Sequence, residues 1–589
     1  MIIIDTEVYK DYFLLMGMHL GASPDRSLIE TFEIYPGHID IDGIRTMMTR
    51  DTTIGFNSIG YDLPIIAAAV SGKSNQQIKD ISDKIIVEGK RHWQLGIKVP
   101  RNWDHIDLIE LAIGQASLKI YGGRLHAPKM QDLPIDPEAS IDAEQRALLR
   151  EYCRNDLEMT SILYRHLQPQ IDLRVTMGKQ YGADLRSKSD AQIAEVVIAN
   201  EIERLGGCAE KPVIKKGYTF RYKDPGFIRF DSPDLNAMFE RVLETDFTLS
   251  ANGSVEMPEW LKKERITIGK AQYQMGIGGL HSCEKRQFIE ASSDEVLADW
   301  DVASYYPNII LGQRLSPKHL GTDFLTVFQS IVTRRLDAKR GGDKVTADVL
   351  KIVINGTFGK LGSKYSFLYS PDLMAQTTIS GQLALLMLIE RMEMAGIRVI
   401  SANTDGIVLH APKSLDIKMQ CIAWDWMLDT SYELERTNYR AIASRDVNNY
   451  VAVMLDGKTK GKGVFASPSL AKNPDCQIVY DAVAARIASG TPIERTIRRC
   501  DDIRRFVTVR RVTGGALWRE ENIGKAIRSY YSTSVPSDEM IRYVKNGNKV
   551  PKSEGTRPLM QLPPAFPDDV DYSVYLDAAE KLLSEVGYL

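Results

Sequence analysis

Short apolar runs that end on acidic residues recur along this chain, and they predict strands whose tips carry carboxylates. The clearest cases end at Asp5 and Glu7, at Asp301 and at Asp405. Successive side chains of a strand alternate between its two faces, so Asp5 and Glu7 project from the same face. Two acids placed in this way could share a bound metal ion.

The segments between these strands include three with helical spacing, and a row of lysines follows the last strand. Residues 148–156 predict a helix in which Tyr152 and Asp156 share one face. Residues 331–340 and 345–354 predict two antiparallel helices, joined by a turn at Gly341 and Gly342. Further along, three lysines alternate within 458–462 and would share one side of a strand.

Composition sets broad limits on the class of protein. A chain of 589 residues suggests about three to five domains. The net charge of −3 excludes a uniformly basic coat, although residues 491–530 carry ten Lys or Arg against five Asp or Glu. That patch suits either a duplex-binding surface or a solvated helical face. The six cysteines form no C-x-x-C pair, and no apolar run reaches about 18 residues, so we expect a cytoplasmic protein with no membrane partner.

Three segments of the first 160 residues resemble a known nuclease family. They are Asp5-Thr6-Glu7, Asn57 followed by Tyr61-Asp62, and Tyr152-x-x-x-Asp156. Their order resembles the 3′-to-5′ proofreading exonucleases of the ribonuclease-H-like fold. The resemblance implies two divalent ions and a water oriented by Tyr152, with Asn57 on the substrate strand and the metal ligands Asp5, Glu7, Asp62 and Asp156. Lys119 and Lys129 are weaker candidates for phosphate contacts, since surface lysines are common.

Three later segments resemble the family B DNA polymerases. Residues 301–307, Asp-Val-Ala-Ser-Tyr-Tyr-Pro, resemble D-x-x-S-L-Y-P, and residues 351–359 resemble K-x-x-x-N-S-x-Y-G, with Gly356 in place of serine. Residues 403–406, Asn-Thr-Asp-Gly, resemble D-T-D-S but depart at both ends. Because Asn403 replaces an acid, we hypothesise that Asp299 supplies the missing negative charge.

The polymerase resemblance assigns a role to each candidate residue of the second half. Asp301 and Asp405 would hold two Mg²⁺ ions, with Mn²⁺ as an alternative. Tyr306 would lie under the incoming sugar and exclude ribose. The residues implied to bind the nucleotide are Arg335, Lys339, Lys351 and Asn355, and those implied to contact duplex DNA are Tyr450, Lys458, Lys460 and Lys462. A solvated charge run or an amphipathic helix with one long lysine would explain the basic helices without a ligand.

The predicted fold class is a multidomain α/β and α+β protein, with a ribonuclease-H-like exonuclease domain and a right-hand polymerase of palm, fingers and thumb. The predicted domains are the exonuclease (1–175), a connecting region and start of the palm (176–290), the palm (291–465) with fingers at about 320–362, and the thumb with the C-terminal region (466–589).

The spacing of the motifs favours one branch of the family. Asp301 and Lys351 are 50 residues apart and Lys351 and Asp405 are 54 apart, which leaves little room for the insertions of protein-primed members. We therefore expect a compact replicase of bacteriophage type in the host cytoplasm, without the extra N-terminal domain of many cellular relatives.

The expected partners are primer-template DNA and dNTPs, with a helicase, clamp or single-strand-binding protein as accessory factors, and the expected oligomeric state is a monomer. Two alternatives stay open at this stage. One is an exonuclease whose second half only binds DNA, and the other is an RNA polymerase or reverse transcriptase.

Overall fold

Residues 1–188 fold around the strand that carries Asp5 and Glu7. The structure is a computed structural model that describes residues 1–21, 28–215 and 217–589. The elements of this first segment are β1 (Ile2–Tyr9), β2 (Tyr12–His19), β3 (Ile29–Tyr35), β4 (His38–Ile39), α1 (Ile41–Arg50), β5 (Thr53–Gly55), α2 (Asp62–Val70), α3 (Asn75–Ile86), β6 (His105–Asp107), α4 (Leu118–Arg124) and α5 (Ala143–Tyr181).

Residues 189–467 contain the strands that carry Asp301 and Asp405. Their elements are α6 (Asp190–Arg204), β7 (Thr219–Arg221), α7 (Pro233–Glu244), β8 (Asp246–Leu249), β9 (Val255–Glu256), α8 (Glu259–Lys263), β10 (Ile266–Ile268), β11 (Ala271–Met275), β12 (Leu280–Ser282), β13 (Gln287–Glu290), β14 (Glu295–Val302), α9 (Tyr305–Gly312), α10 (Gly321–Arg340), α11 (Lys344–Leu361), α12 (Pro371–Met394), β15 (Arg398–Asn403), β16 (Gly406–Pro412), α13 (Asp416–Thr430), β17 (Leu434–Asp446), β18 (Asn449–Met454) and β19 (Thr459–Lys462).

The C-terminal residues complete the fold with helices and a small antiparallel sheet. The elements are α14 (Gln477–Ser489), α15 (Ile493–Arg499), β20 (Thr508–Trp518), β21 (Glu521–Tyr531), β22 (Arg542–Tyr543), β23 (Thr556–Pro558) and α16 (Tyr572–Glu585).

The chain divides into two units, and this division confirms the predicted mixed α/β multidomain class. The first unit is Met1–Lys188, Pro468–Ile478 and Ile497–Tyr575, and the second is Ser189–Ser467, Val479–Thr496 and Leu576–Leu589. Residues 466–589, predicted as thumb and C-terminal region, are thus shared between the units. The finer assignment to a ribonuclease-H-like domain and a right hand stays a prediction.

The first unit is organised by a six-stranded sheet in the order β4-β3-β2-β1-β5-β6. Strand β1 is antiparallel to β2 and parallel to β5. Its apolar side chains pack into two cores on opposite faces, with Ile3 in one and Ile2 and Ile4 in the other. This alternation fixes the register, because a slip of one residue would turn every apolar side chain to the wrong face. Strands β20–β23 form a second, antiparallel sheet in the order β22-β20-β21-β23.

The second unit is built on a ten-stranded sheet and one long apolar helix. Strand β14 lies between β16 and β17, and β15 and β16 form the hairpin that carries Asp405. Helix α12 has the length and composition of a membrane span, but 83% of its most apolar window is buried. Its leucines and methionines instead belong to the main core of this unit, so α12 is the central core helix that supports the sheet.

Candidate active sites

The first site is a buried carboxylate cluster in the first unit. Strand β1 contributes Asp5 and Glu7, the N-terminal turn of α2 contributes Asp62, and α5 contributes Asp156. Only 5% of Asp62 and 7% of Asp156 is exposed. The structure therefore brings together all four acids that the sequence selected for this site.

Mutual repulsion and burial favour the protonated carboxyls in this cluster. Burial, followed by the charge of Asp156, raises the pKa of Asp5 and of Glu7 well above the usual range. Burial raises the pKa of Asp62 to about 7 and also raises that of Asp156. Carboxylate oxygens crowded in this way are hard ligands that suit Mg²⁺ or Mn²⁺, because a cation offsets their repulsion. The donor set thus fits divalent cations.

Helix α5 also carries Tyr152 and Cys153 into the first site. Lys119 donates a short hydrogen bond to the Tyr152 hydroxyl, and its Nζ lies 3.3 Å from Asp156 Oδ2. The Cys153 thiol lies 3.5 Å from Asp5 Oδ2. Lys119 is therefore a residue of the site, whereas Lys129 lies 3.3 Å from Glu151 in an exposed ion pair.

Asp107 is a buried acid of the first unit that was absent from the sequence-based prediction. It accepts hydrogen bonds from the backbone N–H groups of Asn57, Ile59 and Ile109, at 2.8, 2.9 and 3.1 Å. These bonds hold the turn before α2, where Asn57 adopts a φ of 60° and remains exposed. The available signal was the short run His105-Ile106-Asp107, which again ends on an acid.

The second site lies where β14 meets the turn between β15 and β16. Asp301 pairs with Gly406 in the strand register, and the Val302 N–H donates a 2.7 Å hydrogen bond to the Asp405 carbonyl. Burial, followed by the charge of Asp299, raises the pKa of Asp301 to about 6, and the charge of Asp405 contributes to that rise. The two predicted acids are therefore neighbours at one end of the sheet.

Two departures from the family motifs coincide with close packing. A Cβ atom on Gly406 would overlap Asp301 Oδ1 and lie 3.0 Å from the Trp300 carbonyl. A Cβ on Gly356 would lie 2.6 Å from the Asp190 carbonyl, where α11 packs against α6. Glycine is therefore the residue that fits at both positions.

Three side chains form a network beside Asp301 on the sheet. Lys460 Nζ lies 3.0 Å from Asp299 Oδ2 and 3.7 Å from Asp301 Oδ2, and the Tyr439 hydroxyl donates to Asp299 Oδ2 at 2.5 Å. Burial lowers the pKa of Lys460, but the charge of Asp299 and the hydrogen bonds to Tyr439 and Asp299 together raise it by more, so the amine stays protonated. Asp299 is thus matched by a cation, which the sequence hypothesis did not foresee.

The predicted lysine row is only partly realised. Lys460 and Lys462 belong to β19. Burial raises the pKa of Asp405, and the positive charge of Lys462 offsets part of that rise. Tyr450 pairs with Lys462 across β18 and β19. Lys458 precedes β19 and pairs with Asp456 at 2.7 Å instead.

The residues predicted to bind the nucleotide lie on α9, α10 and α11. The rings of Tyr306 and Phe358 stack with centroids 4.3 Å apart, and the Tyr306 hydroxyl donates to the Gly278 carbonyl at 2.5 Å. Arg335 Nη1 donates to Ser304 Oγ at 3.2 Å, so this cation is tied to the turn that follows Asp301. Lys351 and Asn355 are exposed on α11.

Glu435 is a second acid that the sequence-based prediction missed. It pairs with Asp301 in the register of β14 and β17, and directly paired residues project from the same face of a sheet. Its carboxylate lies 3.8 Å from Nζ of Lys339, which was also predicted to bind the triphosphate. Only the sheet order places Glu435 beside Asp301, so no local signal could have revealed it.

Comparisons with known proteins relate part of the chain to archaeal DNA polymerases. A stretch of 125 residues, 21% of the chain, is 27% identical to DNA polymerase 1 of Sulfolobus acidocaldarius. A stretch of 124 residues, 20% of the chain, is 28% identical to DNA polymerase 1 of Saccharolobus solfataricus. Each match spans only 14% of the relative's length.

A solved structure with similarity over the whole chain is the family B DNA polymerase from the hyperthermophilic archaeon Pyrobaculum calidifontis. The TM-score is 0.43 and the sequence identity is 14%, over 100% of this chain and 78% of that chain. No protein-family model matches the chain. The sequence similarity to archaeal DNA polymerases is thus confined to about a fifth of the chain.

Proposed function

We propose that the chain is a family B DNA polymerase that extends a primer 3′ hydroxyl with dNTPs under the direction of a template, and that its first unit is a 3′-to-5′ proofreading exonuclease. The observation that carries the proposal is the meeting of Asp301 with Asp405 at one end of a sheet, within reach of Lys460. The local similarity to two archaeal DNA polymerases supports the same class of enzyme.

In the proposed synthesis reaction, Asp301 and Asp405 would hold two Mg²⁺ ions, which when bound lower the pKa of the primer hydroxyl and neutralise charge on the departing pyrophosphate. Mn²⁺ has a similar ligand preference and is an alternative. The triphosphate would be bound through charge-assisted hydrogen bonds from Arg335, Lys339 and Lys351. Asn355 lies on α11, one turn after Lys351. The tie between Arg335 and Ser304 supports this role because it holds a cation beside the carboxylates.

Tyr306 would select the sugar of the incoming nucleotide. Its ring is held on one side by Phe358 and at its hydroxyl by the Gly278 carbonyl. A ring fixed in this way cannot rotate aside easily, so a ribose 2′ hydroxyl above it would meet a rigid surface. Lys460, Lys462 and Tyr450 would contact the duplex near the primer end, while the pairing of Lys458 with Asp456 leaves it the weaker candidate.

In the proposed proofreading reaction, Asp5, Glu7, Asp62 and Asp156 would bind the divalent ions of the first unit. Lys119 orients the Tyr152 hydroxyl, and that hydroxyl would position the attacking water. Asn57 would contact the frayed primer strand, because the Asp107 bonds hold its turn while the residue stays exposed. A mispaired primer end is easier to unstack and would be trimmed here.

The motif spacings support a polymerase of bacteriophage type that is not protein-primed. We further propose that it works in the host cytoplasm with a separate helicase, clamp or single-strand-binding protein. Strand displacement by the purified chain alone on nicked circular DNA would contradict that dependence.

A primer-extension assay tests the proposed function directly. The purified chain should extend a labelled DNA primer on a DNA template with dNTPs, in the order that the template dictates, and chelation of divalent cations should abolish extension. Shortening of the primer without any extension would instead favour an exonuclease whose second half only binds DNA. Preference for an RNA template or for ribonucleotides would favour a reverse transcriptase or an RNA polymerase.

A further inference from the structure

Helix α13 (Asp416–Thr430) is apolar on two opposite faces. One face carries Met419, Ala423 and Trp426 into the core of the second unit. The other face is exposed to solvent and carries four apolar residues at intervals of four, three and four. We call this row of residues the α13 stripe (Ile417, Cys421, Trp424 and Leu428). Ile417 is 77% exposed, Trp424 is 64% exposed and Leu428 is 72% exposed.

The α13 stripe has the pattern of a helix-packing surface. Single exposed apolar side chains are common, but a continuous row along one helical face is the arrangement that helices bury against a partner. The spacing of four, three and four also keeps the row in line over three turns. Helix α13 therefore presents a surface that fits a second helix.

The charges beside the stripe identify the partner helix. Lys418 and Asp425 lie on the same flank of α13, are exposed, and form no ion pair with any residue that the structure describes. The other acids near this face are already paired within the chain, Asp416 with Arg436 at 2.8 Å and Asp429 with Arg391 at 2.7 Å. One unpaired cation and one unpaired anion thus remain, near opposite ends of the stripe.

We propose that the α13 stripe packs against the same stripe of a second copy of this chain, with the two helices antiparallel about a two-fold axis. The midpoint of the stripe lies between residues 422 and 423. Pairing about that point brings Lys418 of one copy to within two residues, or about 3 Å along the helix axis, of the level of Asp425 in the other. Because the interface is isologous, this ion pair forms twice.

In a parallel pair, the flank that carries Lys418 and Asp425 would face the opposite flank of the partner helix, so these two charges would not meet. An unrelated partner would not require this self-complementary arrangement. The area buried by two short helices is on the order of 1,000 Å², near the lower bound for a specific interface. We therefore expect a weak dimer with a Kd in the micromolar range, roughly 1–100 μM. The monomer expected from sequence would be the form present in dilute solution.

Sedimentation velocity of the full chain over a range of concentrations tests the proposal. The unmutated chain should dimerise reversibly, and Trp424→Glu with Leu428→Glu should make it monomeric throughout. Leu455→Glu, which changes an equally exposed leucine outside the stripe, should leave the dimer intact. All variants lie at the surface, and unchanged melting temperatures would show that they fold.

Charge reversal tests the antiparallel register. Lys418→Glu and Asp425→Lys should each weaken self-association by about tenfold, because each change turns two weak attractions into two repulsions. A mixture of the two single variants should regain association, since each heterodimer again joins opposite charges twice. A chain that stays monomeric at several hundred micromolar (roughly a hundredfold above a typical micromolar Kd) would overturn the proposal. A dimer that is insensitive to the stripe variants, or a mixture that fails to regain association, would also overturn it.

Discussion

Gly406 controls the position of Asp301, because its missing side chain leaves space for the Asp301 carboxylate. We predict that Gly406→Ala displaces this carboxylate and reduces primer extension by at least about tenfold, the effect of a small misplacement of a catalytic group. Shortening of single-stranded DNA should be unchanged, since the carboxylates of the first unit are untouched. The readout is the rate of primer extension against the rate of degradation.

A matched glycine in the same unit provides the control for this prediction. Apart from its chain neighbours and its own helical turn, a Cβ atom on Gly312, at the end of α9, would meet no atom of the described residues within 4 Å. Gly312→Ala should therefore retain normal extension. Full extension by Gly406→Ala would show that Asp301 is not held where the proposed reaction needs it.

Asp299 and Lys460 act together, since the two side chains lie 3.0 Å apart and Tyr439 donates to the same carboxylate. We predict that Asp299→Asn and Lys460→Gln each slow extension, and that the double variant is no slower than the worse single variant. Such non-additivity is expected if the function of Asp299 is to hold Lys460 beside Asp301.

The concentration of Mg²⁺ required for half-maximal extension separates the two explanations of Asp299. If Asp299 replaces the charge missing at Asn403, Asp299→Asn should raise that concentration while Lys460→Gln should not. If Asp299→Asn alters neither the Mg²⁺ requirement nor the turnover rate, both explanations are wrong and Asp299 is only a buried strand residue.

At the scale of elements, helices α10 and α11 present the cations expected to bind the triphosphate. We predict that Arg335→Ala and Lys351→Ala each raise the KM for dNTP by about 10- to 100-fold, because a hydrogen bond to a charged group contributes about 1.5–3 kcal/mol. The affinity for primer-template DNA should change much less. Steady-state kinetics and a DNA-binding titration measure the two effects.

Lys344→Ala serves as the matched control for the helix pair. Lys344 is the first residue of α11 and is exposed, so this change removes a lysine of the same helix outside the motif. A rise in KM equal to that of Lys351→Ala would mean that net positive charge, rather than the motif positions, attracts the nucleotide.

Elements with strong local patterns could be predicted from sequence. The predicted helices at 331–340 and 345–354 lie within α10 and α11, and the glycine pair forms the turn between them. Local spacing sufficed here because helical contacts join residues three or four apart.

Contacts between distant strands could not be predicted from the sequence. Glu435 meets Asp301 through the order of strands in the sheet, and Lys460 reaches Asp299 from β19. Asp107 was likewise missed, since its strand is only three residues long. Spacing along the chain reveals which residues share a face, but the pairing of strands depends on packing of the whole core.

At the scale of the whole molecule, the two carboxylate clusters oppose folding when no cation is bound. Folding raises the pKa of Asp301 to about 6 and that of Asp62 to about 7, both above the unfolded value of about 4. Acids with a raised folded pKa stabilise the protein at low pH, and this contribution is lost as pH rises from about 4 to 7.

We therefore predict that divalent cations stabilise the chain more at about pH 7.5 than at about pH 5, because the Asp301 and Asp62 carboxyls are mainly ionised at the higher pH and mainly protonated at the lower pH. Thermal unfolding with Mn²⁺ and with a chelator measures the effect, and binding to the folded state alone should raise the melting temperature. Combined Asp62→Asn and Asp301→Asn substitutions should raise the melting temperature of the metal-free chain at pH 7.5 and reduce the response to Mn²⁺. Equal responses to Mn²⁺ at both pH values would contradict this electrostatic explanation.

Each unit carries its own carboxylate site, and we propose that the site of the second unit serves synthesis and that of the first unit serves degradation. The most direct measurement follows a 5′-labelled primer on a DNA template with Mg²⁺, with and without dNTPs, for the unmutated chain, Asp405→Ala and Asp156→Ala. We predict that Asp405→Ala abolishes extension and retains shortening, and that Asp156→Ala does the reverse. Loss of both activities through either single substitution, or no extension by the unmutated chain, would contradict the claim.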